Sequence, residues 1–395
     1  MDRTRTGEAR DGRKGRVWLA AALVAALCTG TLHAQEAVAE LEIPTLFGGR
    51  TANGRRAALR KYGGDKATEA AVMRALRWLK TTQNEDGSWS KTHPETMTAL
   101  CLLTFLARGK TPRSKGFGGT VQKAIKYLVD RVTAYKGGGA GSMHGAYVNG
   151  IVTYALAETY GMTRLRYVKP AMEKGLERIV QGQQPGGGFD RYYMQDIGWD
   201  PSVTGWHVQA LWAGFVAGTA NKGVRQALKK AQSFLLDINS KGGESGRGKS
   251  RMDAPGTRGA TTLCLQLVGA GDSKEARAGV AWIRENGEVK WGGGQGQAFF
   301  SNPAYTCYYE TQAMFHASQG GWSSWNSWNK QMKKELVEIQ KPGDQTKDGK
   351  ATGYWEVPDG VRKREHSRWY TTALCTLSLQ VYYRYPQTYR MFGRP

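Results

Sequence analysis

The sequence predicts an all-α fold, an (α/α)6 toroid of six helix-pair repeats. Three observations lead there. A pair of helical patterns recurs with a period of about 50 residues. The first member of each pair has a polar face, as in Arg74, Arg77 and Lys80, or Lys229, Lys230 and Gln232. The second member, as in IVTYALAETY or TTALCTLSLQVYY, is apolar around most of its circumference. One pattern marks a helix with a side in water, the other a helix buried on two sides. A closed ring with first helices outside and second helices inside satisfies both. An open solenoid wants a polar concave face and a capping repeat, and no capping repeat is evident.

The elements follow in chain order. Arg13, Lys14 and Arg16 precede an apolar run from Val17 to Leu27 that is too short to span a bilayer comfortably. Leu32-His33-Ala34 offers a signal-peptidase site, so residues 1–34 are expected to be a signal peptide and the protein an exported one of the periplasm or cell envelope. Those residues hold six basic and three acidic side chains, so the formal charge of +23 falls only to +20 on their removal. Residues 35–62 read as a linker, and 63–395 as the toroid, with repeats at about 67–109, 121–163, 167–219, 221–273, 274–322 and 323–385. First-helix landmarks fall at Trp78, Tyr127, Arg178, Phe234, Trp282 and Glu335. Second-helix landmarks fall at Thr98, Asn149, Thr204, Thr261, Cys307 and Thr372.

The turns between helices are rich in glycine. The triplets at 137–139, 186–188 and 292–294 lack the strand-then-helix context and the lysine of a phosphate loop, and read as repeat-joining turns. Cys101, Cys264, Cys307 and Cys375 each sit inside an apolar helical pattern without a CxxC partner. They read as buried small hydrophobes rather than disulfide, redox or metal cysteines.

One pattern is specific. Arg74-Ala75, Trp78-Leu79, Gln83, Gly87 and Trp89 form a run of basic, small, aromatic, aliphatic, Gln, Gly and Trp positions. Lys174-Gly175, Ile179, Gln183, Gly188 and Phe189 form a degraded second copy, and the other four repeats lack the Gln–Trp pair. This run resembles the repeat of squalene cyclases. Together with DPSVTGWHVQAL (200–211), YTCYYETQAMF (305–315) and TTALCTLSLQVYYRY (371–385), it makes the chain similar to exported bacterial prenyltransferase/squalene-oxidase repeat proteins. The resemblance implies a toroid of the terpenoid cyclase and protein prenyltransferase kind, with Gln83 and Gln183 tying adjacent repeats together through Trp89 and Phe189. It implies no catalysis.

The known chemistries of that superfamily fail on their required residues. The cyclase proton donor would align with Ser202, which cannot protonate an alkene; only Asp200 and Thr204 match the surrounding motif. Of the prenyltransferase zinc ligands Cys307 remains, while Tyr305 and Thr371 stand where an Asp and a His would be. Glu310-Thr311-Gln312 lacks the cysteine of a thioester site. No cofactor and no metal site are expected.

What remains is a ring interior of unassigned use. His207 and Glu310 are the ionisable pair one turn into the inner helices, and with Asp200 they are the candidate catalytic groups. In the plainer alternative His207 and Glu310 each hydrogen-bond a helix end, and Asp200 is an N-cap. Tyr154, Trp206, Cys307, Tyr308, Tyr309, Trp369 and Tyr370 are expected to line a central cavity. Asp196, His144 and His366 lie in loops without a partner at ligand spacing. Basic loop residues (Arg108, Lys110, Arg113, Lys115; Lys241, Arg247, Lys249, Arg251; Arg362, Lys363, Arg364, Arg368) suit a polyanion, either an anionic membrane surface or an acidic polysaccharide. No nucleic-acid module is present. The expected function is a binding or assembly module taking a small apolar or polyanionic ligand. The alternatives are an enzyme acting on an isoprenoid-like substrate, or a toroid lyase or hydrolase acting on acidic polysaccharide.

Overall fold

The chain folds into two concentric rings of helices. The structure, a computed structural model, describes residues 43–136, 145–194, 198–240, 256–291, 302–318, 323–358 and 367–385. The expected signal peptide, His144, Asp196, His366, the glycine triplets 137–139 and 292–294, and the basic residues 241–251 and 362–364 lie outside the described residues.

A short 3-10 segment, Thr45–Arg50, leads into α1 (Ala52–Tyr62). Residues expected to be linker are thus helical here, because Phe47, Ala58 and Tyr62 have apolar surface to bury. The outer helices are α2 (Lys66–Thr81), α4 (Gly118–Ala134), α6 (Lys169–Gln181), α8 (Gly223–Ser240), α10 (Lys274–Asn286) and α12 (Ser323–Glu338). The inner helices are α3 (Pro94–Ala107), α5 (Ala146–Thr163), α7 (Pro201–Ala217), α9 (Thr257–Leu267), α11 (Pro303–Ala317) and α13 (Arg368–Leu379). Each inner helix packs on the next, and α13 packs on α3, so the ring closes. Every outer helix wedges between its own inner partner and the inner helix of the preceding repeat. Because the chain reverses twice per repeat, all six inner helices run the same way, with their N-termini at one end, the mouth, and their C-termini at the other, the base.

Small residues permit the wedging. A Cβ on Gly175 of α6 would run into Thr153 Oγ1 of α5, and one on Gly279 of α10 would run into Thr262 Oγ1 of α9. The Gln–aromatic motif does its expected joining. Gln83 Nε2 donates to Gly87 O at 2.9 Å and to Thr120 O of the next outer helix at 3.0 Å. Gln183 repeats this with Gly187 O and Ala227 O, both at 2.9 Å. Trp89 Nε1 donates to Leu79 O at 2.8 Å, and its backbone N–H to Thr98 Oγ1 at 3.1 Å.

The structure holds a third copy that the sequence pattern did not reveal. Gln340 Nε2 donates to Ala71 O at 2.9 Å and its Oε1 accepts from Arg74 Nε at 2.6 Å, which ties repeat six to repeat one. Trp355 Nε1 donates to Leu336 O at 2.8 Å and its backbone N–H to Thr372 Oγ1 at 3.0 Å, as Trp89 does with Leu79 and Thr98. Between Gln340 and Trp355 lies an antiparallel hairpin, β1 (Lys341–Gly343) and β2 (Thr352–Tyr354), the only sheet among the described residues. Tyr354 stacks on Trp78 of α2 at 5.2 Å.

The base is covered by the 3-10 segment, α1 and a short α14 (Val381–Arg384). Beneath them Glu158 of α5 pairs with Arg50 at 2.5 Å. Arg50 Nη2 also donates to Arg384 O at 3.4 Å, and the Arg384 guanidinium donates to Tyr154 Oη at 2.5 Å. All three charged groups are buried, drawn from the two ends and the middle of the chain.

Candidate binding site at the mouth of the ring

Aromatic side chains occupy the ring axis. Trp206 of α7 stacks on Tyr308 at 5.6 Å, meets Tyr309 edge-on at 5.6 Å and lies 6.5 Å from Tyr154. Their polar ends are satisfied within the ring. Tyr308 donates to Gln209 Oε1 at 3.0 Å, Gln209 Nε2 donates to Tyr309 Oη at 3.1 Å, and Tyr385 donates to Gln312 Oε1 at 2.6 Å. Tyr154, Trp206, Tyr308 and Tyr309 are therefore buried packing partners. Tyr370 is buried nearer the mouth, where it and the Trp206 indole N–H face the Tyr147 hydroxyl.

Two expected cavity residues point elsewhere. Trp369 Nε1 donates to Thr82 Oγ1 at 3.1 Å and its ring lies 6.2 Å from Trp78, so it packs against outer helix α2. Cys307 lies 3.7 Å from Thr311 Oγ1 on the α11 face that meets α12 and α13, and burial pushes its thiol up to about 12. Cys101, Cys264, Cys307 and Cys375 are all free and buried. No group of three His, Cys, Asp or Glu residues suited to a metal occurs among the described residues.

The candidate acid–base groups do not converge. Asp200 caps α7, accepting from the backbone of Ser202 at 2.8 Å and Val203 at 3.1 Å, and its other oxygen accepts from Arg191 Nε at 2.7 Å. Burial opposes its charge, but the bonds from Ser202 and Arg191 prevail and hold the carboxyl below its usual range. His207 turns into the seam between α7 and α5, against Gly150. Its Nδ1 donates to Val203 O at 2.8 Å, its Nε2 accepts from Tyr193 Oη at 2.7 Å, and burial pushes it down to about 3. Glu310 turns into a different seam, against Gly259 of α9, where burial pushes it up to about 8 and Oε2 has no hydrogen-bond partner. His207 and Glu310 therefore do not meet across the ring, since adjacent inner helices intercept each side chain.

His207 instead anchors a loop. Tyr193, held at φ +58°, lays its ring over Gly182 and also accepts from Asn149 Nδ2 at 2.8 Å. The buried Asp190 carboxylate accepts from the Tyr192 and Met194 amides at 2.9 and 2.8 Å, and the Ala146 amide donates to Arg191 O at 2.9 Å. A bulky residue at positive φ persists only where its surroundings fix it. This clamping leaves Tyr192 65% and Met194 52% exposed at the mouth. From that rim the Arg191–Asp200 pair leads inward to half-buried Tyr147 and Tyr305, both within electrostatic reach of Asp200. Trp206 lies below, 6.4 Å edge-on from Tyr147. Sequence reasoning missed Arg191, Tyr192, Tyr147 and Tyr305; the aromatic cluster of FDRYY inside a glycine-rich turn was the available signal.

A ring of six inner and six outer helices defines an α/α toroid. No known sequence family matches the chain, and no curated protein matches it. Solved structures do. The GH76A α-1,6-mannanase of Salegentibacter sp. HEL1_6 superposes with a TM-score of 0.55 over 81% of this chain and 99% of its own, at 10% identity. An inactive variant of that enzyme in complex with α-1,6-mannotetrose superposes equally well, at 9% identity over 82% of this chain and 100% of its own. A polysaccharide lyase reaches only 0.37. The shared property is the fold.

Proposed function

We propose that the chain is a polysaccharide-binding toroid that takes a saccharide segment at its mouth. The observation that carries this reading is the clamped loop presenting Tyr192 beside the Tyr147–Tyr305 throat. Tyrosine offers a sugar both a flat apolar face and a hydroxyl, at little conformational cost. A loop held by backbone strain and five hydrogen bonds with an aromatic ring turned to solvent suits a binding surface better than a core. Six helix N-termini directed at the mouth add positive potential, so acidic chains bind more tightly than neutral ones.

An isoprenoid cyclisation is disfavoured by charge. The Arg384 guanidinium lies 5.4 Å from the Tyr154 ring centre and 6.0 Å from that of Tyr308. A fixed cation among these aromatic faces repels the carbocation that such chemistry must stabilise. A second reading, hydrolysis by two carboxylates, draws on the opposed displacements of Asp200 and Glu310, the pattern of a base and an acid. The burial of Glu310 in the α9–α11 seam weighs against it.

Calorimetric titration with neutral mannan and acidic oligosaccharides tests the proposal, with reducing-end release measured in parallel. Tyr192→Ala and Tyr147→Ala should each weaken binding about ten-fold, with no bond cleavage. Absence of saccharide binding, or affinity indifferent to both substitutions, defeats the proposal. Cleavage abolished by Glu310→Gln would establish the hydrolytic reading instead.

A further inference from the structure

The base of the ring carries exposed basic side chains whose contacts are with neutral groups, as Arg56 with Asn53 Oδ1 and Arg164 with Ala217 O. Helix α1 lies across this end: Arg55 Nη1 donates to Arg50 O and to Arg108 O beyond the end of α3, while Ala58 and Tyr62 face inward. The opposite side of α1 presents Arg56 and Arg60, one turn apart, with Lys61 beside them, all exposed. Arg164 and Arg166 in the turn after α5, and Lys222 in the turn after α7, are exposed on the same end. Tyr167, next to Arg166 in sequence, is 42% exposed.

The acids of this end are largely committed. Asp65 pairs with Lys333 at 2.9 Å, Glu69 pairs with Arg108 at 2.8 Å, and Glu173 accepts from Thr219 Oγ1 at 2.6 Å and the Ala220 amide at 2.8 Å. Asp272 is exposed but shares its turn region with Lys274 and Arg277. The excess positive charge is therefore spread over α1 and two separate turns, a whole face rather than a groove.

We propose that this face docks the protein on an anionic phospholipid surface. A distributed basic face matches a planar array of phosphates better than a single polymer strand, and an exposed tyrosine suits the headgroup layer. No helix among the described residues is long and apolar enough to cross a membrane, and the proposed association is with the headgroup surface. Docking by the base turns the mouth away from the bilayer.

The test is co-sedimentation of the full chain with vesicles of pure phosphatidylcholine and of a 7:3 mixture with phosphatidylglycerol. The readout is the gain in binding on adding the anionic lipid. Each basic residue near the surface contributes a factor of about five, so replacing Arg56, Arg60 and Lys61 together by Gln lowers that gain roughly a hundred-fold. The triple replacement of Lys123, Lys229 and Lys230 by Gln on the outer wall removes the same charge and should leave the gain within about three-fold. Thermal melts of both triple variants report folding. Equal losses in the two variants would show attraction by net charge alone and overturn the proposal, as would equal binding to both vesicle types. Release of the protein by a soluble acidic polysaccharide, through the same three residues and not Tyr192, would assign the face to that polymer instead. Tyr192→Ala leaves vesicle binding unchanged, which separates this proposal from the saccharide reading.

Discussion

Glu310→Gln isolates one buried carboxyl group. The folded chain holds its proton up to about pH 8, while the unfolded chain releases it near 4.5. The folded state therefore binds more protons between those values. Its stabilising contribution is complete below pH 4.5 and is lost as pH rises to about 8. At about 1.4 kcal/mol per pH unit, the interval corresponds to about 4–5 kcal/mol. His207 and His316, both pushed down by burial to about 3, act in the opposite sense. The unfolded chain takes up their protons below 6.5, so stability falls as pH drops from there towards 3. Wild-type Tm against pH should be a dome, with both limbs set by buried groups. In the Gln variant the acid limb remains and the alkaline limb flattens. Scanning calorimetry from pH 4 to 9 should find the variant close to wild type near pH 5 and about 5 °C more stable near pH 8.5. A difference between the two proteins that does not change with pH would refute the assignment of a protonated Glu310.

Three further outcomes follow from the packing and the site. Gln340→Ala removes two bonds across the closing seam and should lower stability by about 2 kcal/mol in denaturant melts; Gln83→Ala should match it if the copies are equivalent. Gly175→Ala should cost about 1–3 kcal/mol through collision with Thr153 Oγ1, and the added replacement Thr153→Ala should recover most of that loss in the same melts. Incubation with squalene in detergent should give no cyclic product by mass spectrometry; product abolished by Asp200→Asn would mean that Asp200 serves as the acid.

The ring was legible because each outer helix has water on one side. That side fixes the phase of its periodicity, and the spacing from Trp78 to Trp282 then counts the repeats. The third Gln–Trp copy escaped because Gln340 and Trp355 are fifteen residues apart, against six for Gln83 and Trp89. The inserted hairpin hides the register. Site geometry was far less legible, for a physical reason. Inner helices are buried all round, so apolar periodicity cannot say which side chain faces the axis. Trp206 and His207 are neighbours, yet one enters the axis and the other a seam. Asp200 was the exception, because a cap next to Pro201 is a local event.

The shared charges at the base have a bearing on how the molecule is made. Arg50 reaches the Arg384 carbonyl across 334 residues of sequence. At a synthesis rate of about 5–20 residues per second, the first residue waits roughly 20–70 s for the second. Until then Glu158 and Arg50 have no floor over them, and α3 has no α13 to lean on. An arc of five repeats leaves apolar inner helices exposed at both of its ends. The nascent chain is thus a vulnerable intermediate for most of its production, and its survival depends on whatever shields those surfaces until the last few dozen residues emerge. A nonsense mutation close to the C-terminus should accordingly be as damaging as one near the middle.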